Sequence, residues 1–172
     1  SIIDGLSASV GLGLIVMEIA RMIKSGKDHN KIEECIPDII QSTDIFLLLK
    51  DLNYVVRGGR LPAWVKKIAD FFHIRPIMTT KLDGSLGAAG IIKGTTNLSE
   101  KMSNFILKKL DPHSSYDISI GHCNAQKDGE KLIKLIKEKN DNINSIYLID
   151  MGCALGVHAG PGSLSVAIQI KK

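Results

Sequence analysis

The sequence predicts an α/β (α+β) domain with a mixed, partly antiparallel sheet of about six strands flanked by helices and preceded by two further helices. Three observations carry this. Apolar runs of strand length intermix with segments of helical periodicity, without a regular β-α-β rhythm. Two such runs, Ile74–Leu82 and Leu86–Ile92, are joined by Asp83-Gly84, the strongest short-range signal for an antiparallel hairpin. The 172 residues are 44% hydrophobic and 23% charged, which is globular material with enough chain for one core or two small ones.

Each element has its own reason. Ser1-Ile2-Ile3-Asp4 reads as the end of a buried strand with no turn before it, so the chain is expected to be a fragment of a longer one. Ser7-Ala8-Ser9 offers a helix N-cap. Leu12, Ile15, Val16, Ile19, Ala20 and Ile23 then recur at helical spacing, and Gly26 is a C-terminal stop. Gly11 and Gly13 inside this helix each cost about 1 kcal/mol relative to alanine. They imply close approach by a backbone or ligand, or plain helix packing. A second helix is expected from about Asn30 to Ser42, with Ile32, Cys35, Ile36 and Ile39 on one stripe and Pro37 interrupting its hydrogen bonds. Ile45–Leu49 is a buried strand, Asp51–Arg57 a short helix broken by Gly58-Gly59, and Pro62–Phe72 a helix begun by proline in its first turn. After the hairpin, Thr95–Asn97 with Glu100 resembles a capping arrangement for a helix to Lys109. Asp117–Gly121 is a strand, and Ala125–Lys139 an amphipathic helix with Leu132, Ile133 and Ile136 inward. Ser145–Ile149 and Leu164–Ile170 are strands, the last ending the chain. Because the first two helices precede the first strand of this sheet, residues 1–43 are expected to be the remnant of an N-terminal domain and 44–172 the C-terminal domain.

Composition narrows the function. The net charge is +4 and the sequence pI about 8.9, but the lysines are scattered among acidic neighbours and aromatics make up only 5%. Basic residues interleaved with stacking aromatics are absent, so no nucleic-acid partner is expected. Cys35, Cys123 and Cys153 show no C-x-x-C spacing, and a zinc site from Cys123, Cys153 and His122 or His158 has no support in it. Reduced thiols, no signal peptide and no long apolar span point to a cytoplasmic protein without membrane insertion. There is no P-loop, G-x-S-x-G or H-E-x-x-H, so no autonomous catalytic centre is expected.

Three segments carry candidate chemistry. In Gly156-Val157-His158-Ala159-Gly160-Pro161-Gly162, an imidazole beside exposed Gly160 and Gly162 amides suits a carboxylate or phosphate. The alternative is a tight strand connection in which His158 packs. Arg57-Gly58-Gly59-Arg60 sets two guanidinium forks around a flexible corner, or forms a solvated turn. Lys93-Gly94-Thr95-Thr96 presents a cation and helix-start amides to an anion, or is an ordinary cap.

Ser7-Ala8-Ser9-Val10-Gly11-Leu12-Gly13, Tyr54 through Gly58-Gly59-Arg60-Leu61, Ile74-Arg75-Pro76-Ile77 and the His158 segment together resemble the DegV family in order and spacing. These are bacterial fatty-acid-binding proteins, some of them acyl-carrier subunits of fatty acid kinase. The resemblance covers essentially the whole chain and implies a two-domain protein holding one long-chain fatty acid between its domains, of which this is the C-terminal part. The family's N-terminal head-group motifs are absent. The head-group histidine carries over onto His158, with Gly160 and Gly162 beside it, and Arg60 matches the Gly-Gly-Arg arginine near the head group or the kinase-facing surface. Ser7, Ser9, Gly11 and Gly13 fall at the acyl chain or domain interface, and Arg57 and Lys93 at the docking surface. Where the family usually has arginine, Lys93 keeps the charge but not the fork. No cofactor is implied, because ATP and magnesium belong to the kinase. A lipid-sensing regulatory or scaffolding domain is the alternative. A hydrolase using His158 with Ser163 or Ser165 is a third reading, against which both serines are expected to face solvent or the sheet. The uncovered face of the Leu12–Ile23 helix is expected to drive self-association.

Overall fold

In the computed structural model, residues 1–81 and 83–171 are described. Leu82, the expected end of the first hairpin strand, and Lys172 lie outside the described residues. Among the described residues six strands form one sheet: β1 (Thr43–Leu48), β2 (Ile74–Thr80), β3 (Leu86–Lys93), β4 (Ser115–His122), β5 (Ile143–Asp150) and β6 (Leu164–Lys171), in the order β3-β2-β1-β6-β4-β5. Every neighbouring pair is antiparallel except β4 with β5. The expected Asp83-Gly84 turn joins β2 to β3, Lys81 N–H donating to the Ser85 carbonyl at 2.8 Å.

The two faces of the sheet are built differently. On one, Phe46, Leu48, Ile77, Ile118, Ile120 and Val166 meet α5 (Leu98–Leu107) and α6 (Gln126–Lys137) through Met102, Ile106, Leu132 and Ile136 in the main core. Burying each of these side chains contributes about 1.5–3 kcal/mol. The other face uses small and polar side chains on the central strands, among them Asp117, Ser119, Gly121, Ser165 and Ala167. There α1 (Ser9–Lys24) comes close through Val10 and Leu14, which pack on Ile45 and Ala167. A Cβ at Gly11 would stand 3.2 Å from Ile45 Cβ and 2.3 Å from Ser7 Oγ, so at this position the expected close approach is a packing contact. Gly13 has nothing within 4 Å of a would-be Cβ, so no close approach accounts for it.

An ion-pair cluster locks α1 to the sheet. Arg21 donates to the buried carboxylate of Asp117, to Glu18 at 3.0 Å and to the Tyr147 hydroxyl at 3.2 Å, and Lys171 donates to Glu18. Burial pushes the Asp117 carboxyl up. Hydrogen bonds from Ser145, Asn144 and Arg21, with the guanidinium charge, outweigh this and hold it below its ordinary value. At Arg21, burial lowers the pKa, but the hydrogen bonds to Asp117, Glu18 and Tyr147 with the Asp117 charge outweigh this and raise it. α2 (His29–Gln41) packs on α1 through Ile32, Ile36 and Ile39, capped by the Asp28 carboxylate accepting from Asn30 N–H. α3 (Leu52–Arg57), α4 (Ala63–Phe71) and α7 (Cys153–Ala159) share a smaller cluster of Leu49, Leu52, Val55, Ala69 and Ala159. Among the described residues no helix is long and apolar enough to cross a membrane.

Several local expectations need correction. Ser1–Asp4 is exposed and forms no strand. The N-cap of α1 is Ala8, whose side chain has no oxygen, and neither Ser7 nor Ser9 makes the capping bond. Pro62 is the N-cap of α4 and stands before the first turn. Asn97 caps α5 in the left-handed region (φ 53) without a side-chain bond, so Thr95, Asn97 and Glu100 form no capping box. Gly156, Val157 and His158, read as a turn, are helical, because the chain leaving β5 winds through α7 before it turns at Gly160.

Candidate functional site

On the α1 side of the sheet, between α1, α3, α7 and the β1–β2 strands, lies a cavity of about 370 Å³. Ile45 and Leu47 of β1 and Met78 of β2 form an apolar floor, and Ala154 and Leu155 of α7 an apolar wall. Ser7, Thr80, Ser165, Arg60 and His158 add polar residues to its lining. The volume sits near the lower end for small-ligand pockets, and an apolar body with a few converging polar groups is their usual make-up.

Local geometry sets the two nitrogen-bearing side chains. α3 stops at Gly58 (φ −73), Gly59 turns the chain in the left-handed region (φ 72), and the Arg60 Nη1 reaches back to donate to the Gly58 carbonyl at 2.6 Å. His158, one residue before the end of α7, lays its ring on Gly58. Its Nδ1 is buried without a hydrogen-bond partner. Ser7 Oγ, at the mouth of α1, is likewise buried and unpartnered. A buried polar atom left in this state costs about 1–3 kcal/mol unless something pairs with it.

Gly160 and Gly162 do build the turn, at φ 76 and φ 85. Their expected role as exposed donors needs correction, because both amides are used internally. Gly160 N–H donates to the Gly156 carbonyl at 2.8 Å and Gly162 N–H to the Cys123 carbonyl at 2.7 Å. Side chains are excluded there as well: a Cβ at 160 would stand 2.3 Å from the Tyr54 ring, and one at 162 would stand 2.3 Å from Lys50 Cδ. Ser9 is not among the cavity-lining residues; its Oγ lies over the sheet, 3.7 Å from where a Gly121 Cβ would be. Arg57, exposed in the last turn of α3, and Lys93, exposed at the end of the edge strand β3, are not among the cavity-lining residues. Lys93 contributes its carbonyl to Lys101 Nζ at 2.7 Å.

The serines weighed for a hydrolase do not face solvent. Ser163 is fully buried and donates to the Ala159 carbonyl at 2.6 Å. Ser165 is buried and lines the cavity, its Oγ 3.4 Å from the Gly121 carbonyl. Sequence reasoning missed Ile45, Leu47, Met78, Thr80 and Leu155 as lining residues. Strand alternation pairs 45 with 47 and 78 with 80, but only the β1–β2 register, which sets Met78 opposite Leu47, brings the two pairs to one face.

The geometry is that of an α/β domain with a polar-tipped apolar cavity on one face of a mixed sheet. The chain belongs to the DegV family: the family described as "Uncharacterised protein, DegV family" matches residues 1–171. A DegV domain-containing protein of Clostridium perfringens is 30% identical over 158 residues, covering 92% of this chain and 56% of the relative. One of Clostridium acetobutylicum is 26% identical over 167 residues, covering 97% of this chain and 59% of the relative. Among solved structures, a fatty acid binding DegV family protein from Streptococcus agalactiae superposes with a TM-score of 0.82 at 24% identity, covering all of this chain and 60% of that one. The Streptococcus pneumoniae fatty acid kinase B3 protein, loaded with linoleic acid, gives 0.86 at 20% identity, covering 99% of this chain and 60% of that one. The chain thus spans under two thirds of the length of these relatives.

Proposed function

We propose that this chain is part of a non-catalytic cytoplasmic carrier that holds one long-chain fatty acid and presents it to a partner kinase. The observation that carries the reading is the cavity itself: an apolar floor of Ile45, Leu47 and Met78 with unpartnered Ser7 Oγ and the His158 ring beside it. Two structural relatives support it, one a fatty acid binding DegV family protein and the other a fatty acid kinase B3 protein loaded with linoleic acid. Each buried methylene is worth about 0.8 kcal/mol, whereas a hydrogen bond to a charged group is worth about 1.5–3 kcal/mol. The tail therefore supplies affinity, and His158 with Arg60 sets where the carboxylate points. In the kinase's site a carboxylate oxygen attacks the terminal phosphorus of ATP, the bond to the bridging oxygen breaks, and ADP leaves with an acyl phosphate formed. ATP and magnesium belong to that partner. Residues 1–43 are read as part of an N-terminal domain. The exposed Leu12, Val16 and Ile23 on α1 are the surface on which the rest of it would sit. A lipid-sensing regulatory role is the second reading, favoured by Lys93 standing where the resemblance leads one to expect an arginine.

The test is lipid extraction with mass spectrometry on the full-length protein as purified, followed by titration of His158→Ala with oleate. A co-purifying long-chain fatty acid and about tenfold or greater weakening in the variant are expected. A lipid-free protein that does not take up oleate refutes the carrier reading.

A further inference from the structure

We infer that Gly58 is a positioning residue for His158, the side chain it lacks being the seat of the imidazole. Two adjacent glycines are glycine for different reasons. Gly59 sits at φ 72, which disfavours any side chain, yet nothing lies within 4 Å of a would-be Cβ there. Gly58 sits at φ −73, a backbone open to any residue, so conformation does not require glycine. Space does. A Cβ at 58 would stand 2.1 Å from His158 Nδ1, 2.9 Å from Cε1 and 3.2 Å from Cγ. The three nearest atoms all belong to that one ring. Alanine at 58 must therefore drive the imidazole away by more than 1 Å to restore ordinary contact at 3.4 Å.

The contact has a direction. Pressing Nδ1 onto Gly58 leaves Nε2 as the ring nitrogen free to meet a ligand in the cavity that His158 lines. The same residue's carbonyl accepts from Arg60, so one corner orients both groups assigned to the carboxylate. Binding geometry of this kind is sensitive, since a misplacement of about 1 Å is costly wherever an oriented contact does the work. The inference rests on the reading of His158 as the ligand's polar anchor.

The experiment uses the full chain, with Gly58→Ala, His158→Ala and the double variant. Two readouts are followed: the His158 imidazole resonances by NMR and the dissociation constant for oleate. Gly58→Ala is expected to shift those resonances and to weaken oleate binding about as much as His158→Ala, roughly tenfold or more. The double variant is expected to be no weaker than His158→Ala, because the two changes remove one interaction. If Gly58→Ala does not fold, the double variant should, since the ring that would be struck is gone. Unmoved His158 resonances, a double variant clearly weaker than His158→Ala, or misfolding of both Gly58 variants overturns the inference. If His158→Ala binds oleate normally while Gly58→Ala still moves the ring, the positioning role holds and the carboxylate reading fails.

Discussion

Arg21→Ala tests whether the ion-pair cluster on α1 holds the site together. The change strips the guanidinium from Asp117, whose side chain has no exposed surface. Breaking a buried pair from one side costs about 3–5 kcal/mol. Here the loss is smaller. Arg21 is itself 37% exposed, Asn144 and Ser145 still donate to the carboxylate, and Lys171 Nζ stands 3.9 Å away. About 2 kcal/mol is the expected figure. In a chain of this length that lowers the melting temperature by roughly 4–8 °C. The sign of the pH dependence follows from the depressed carboxyl. Its contribution is fully present above the ordinary value of 3.8 and is lost as pH falls through the lower native value. Urea unfolding of both proteins at neutral pH and through the acid range measures the gap directly. Wild type and variant should differ at neutral pH and converge in acid. Ser7 and Ala8 at the N-terminal end of α1 line the cavity, so oleate retention should fall together with stability. A gap under about 0.5 kcal/mol at neutral pH, or one that stays constant into acid, would show that Arg21 acts only through its aliphatic stem.

Other outcomes follow from the same geometry. Ile45→Phe places extra volume on the cavity floor and should weaken oleate binding about tenfold or more while the melting temperature changes modestly, read by fluorescence displacement and thermal unfolding. Arg60→Ala removes an exposed side chain, so stability should hold within about 0.5 kcal/mol while transfer of phosphoryl to bound fatty acid slows in an assay with the cognate kinase. Gly160→Ala combines a left-handed backbone with a clash against Tyr54 and should destabilise the chain by about 1–3 kcal/mol or more in urea unfolding.

The parts of this fold that were legible in the sequence are those set by neighbours along the chain. Asp83-Gly84 between two apolar runs specified the hairpin, and the Leu132, Ile133 and Ile136 spacing specified α6. Strand order was not legible. β1 pairs with β6 across the chain, and the pairing depends on which faces can be buried together. The caps of α1 and α5 failed for a related reason. A serine or threonine ahead of a helix offers an oxygen, but the bond forms only where the backbone enters at the right angle, and Asn97 enters at φ 53.

The site divides along the same line. Glycine content gave away the turn at 160–162, because glycine takes a positive φ at no steric cost. Whether its amides are free is a property of the surroundings, and the Cys123 carbonyl that takes the Gly162 N–H comes from another element. The same distinction separates Gly58 from Gly59. As letters they are identical: Gly59 is required by its own backbone at φ 72, and Gly58 by the ring arriving from residue 158. His158 and Arg60 could be proposed from motif and chemistry, but what makes them a pair is α3 ending where α7 lays its last turn. The polar, small-residue face of the central strands β4 and β6 is what lets α1 approach, and the cavity lies beside it. A Cβ at 121 would stand 3.0 Å from Val10 Cγ1 and 2.5 Å from Ser165 Oγ, so a larger residue there would push α1 away from the sheet. Of these departures from the strand pattern, Asp117 takes the Arg21 guanidinium, Gly121 makes room for α1, and Ser165 lines the cavity.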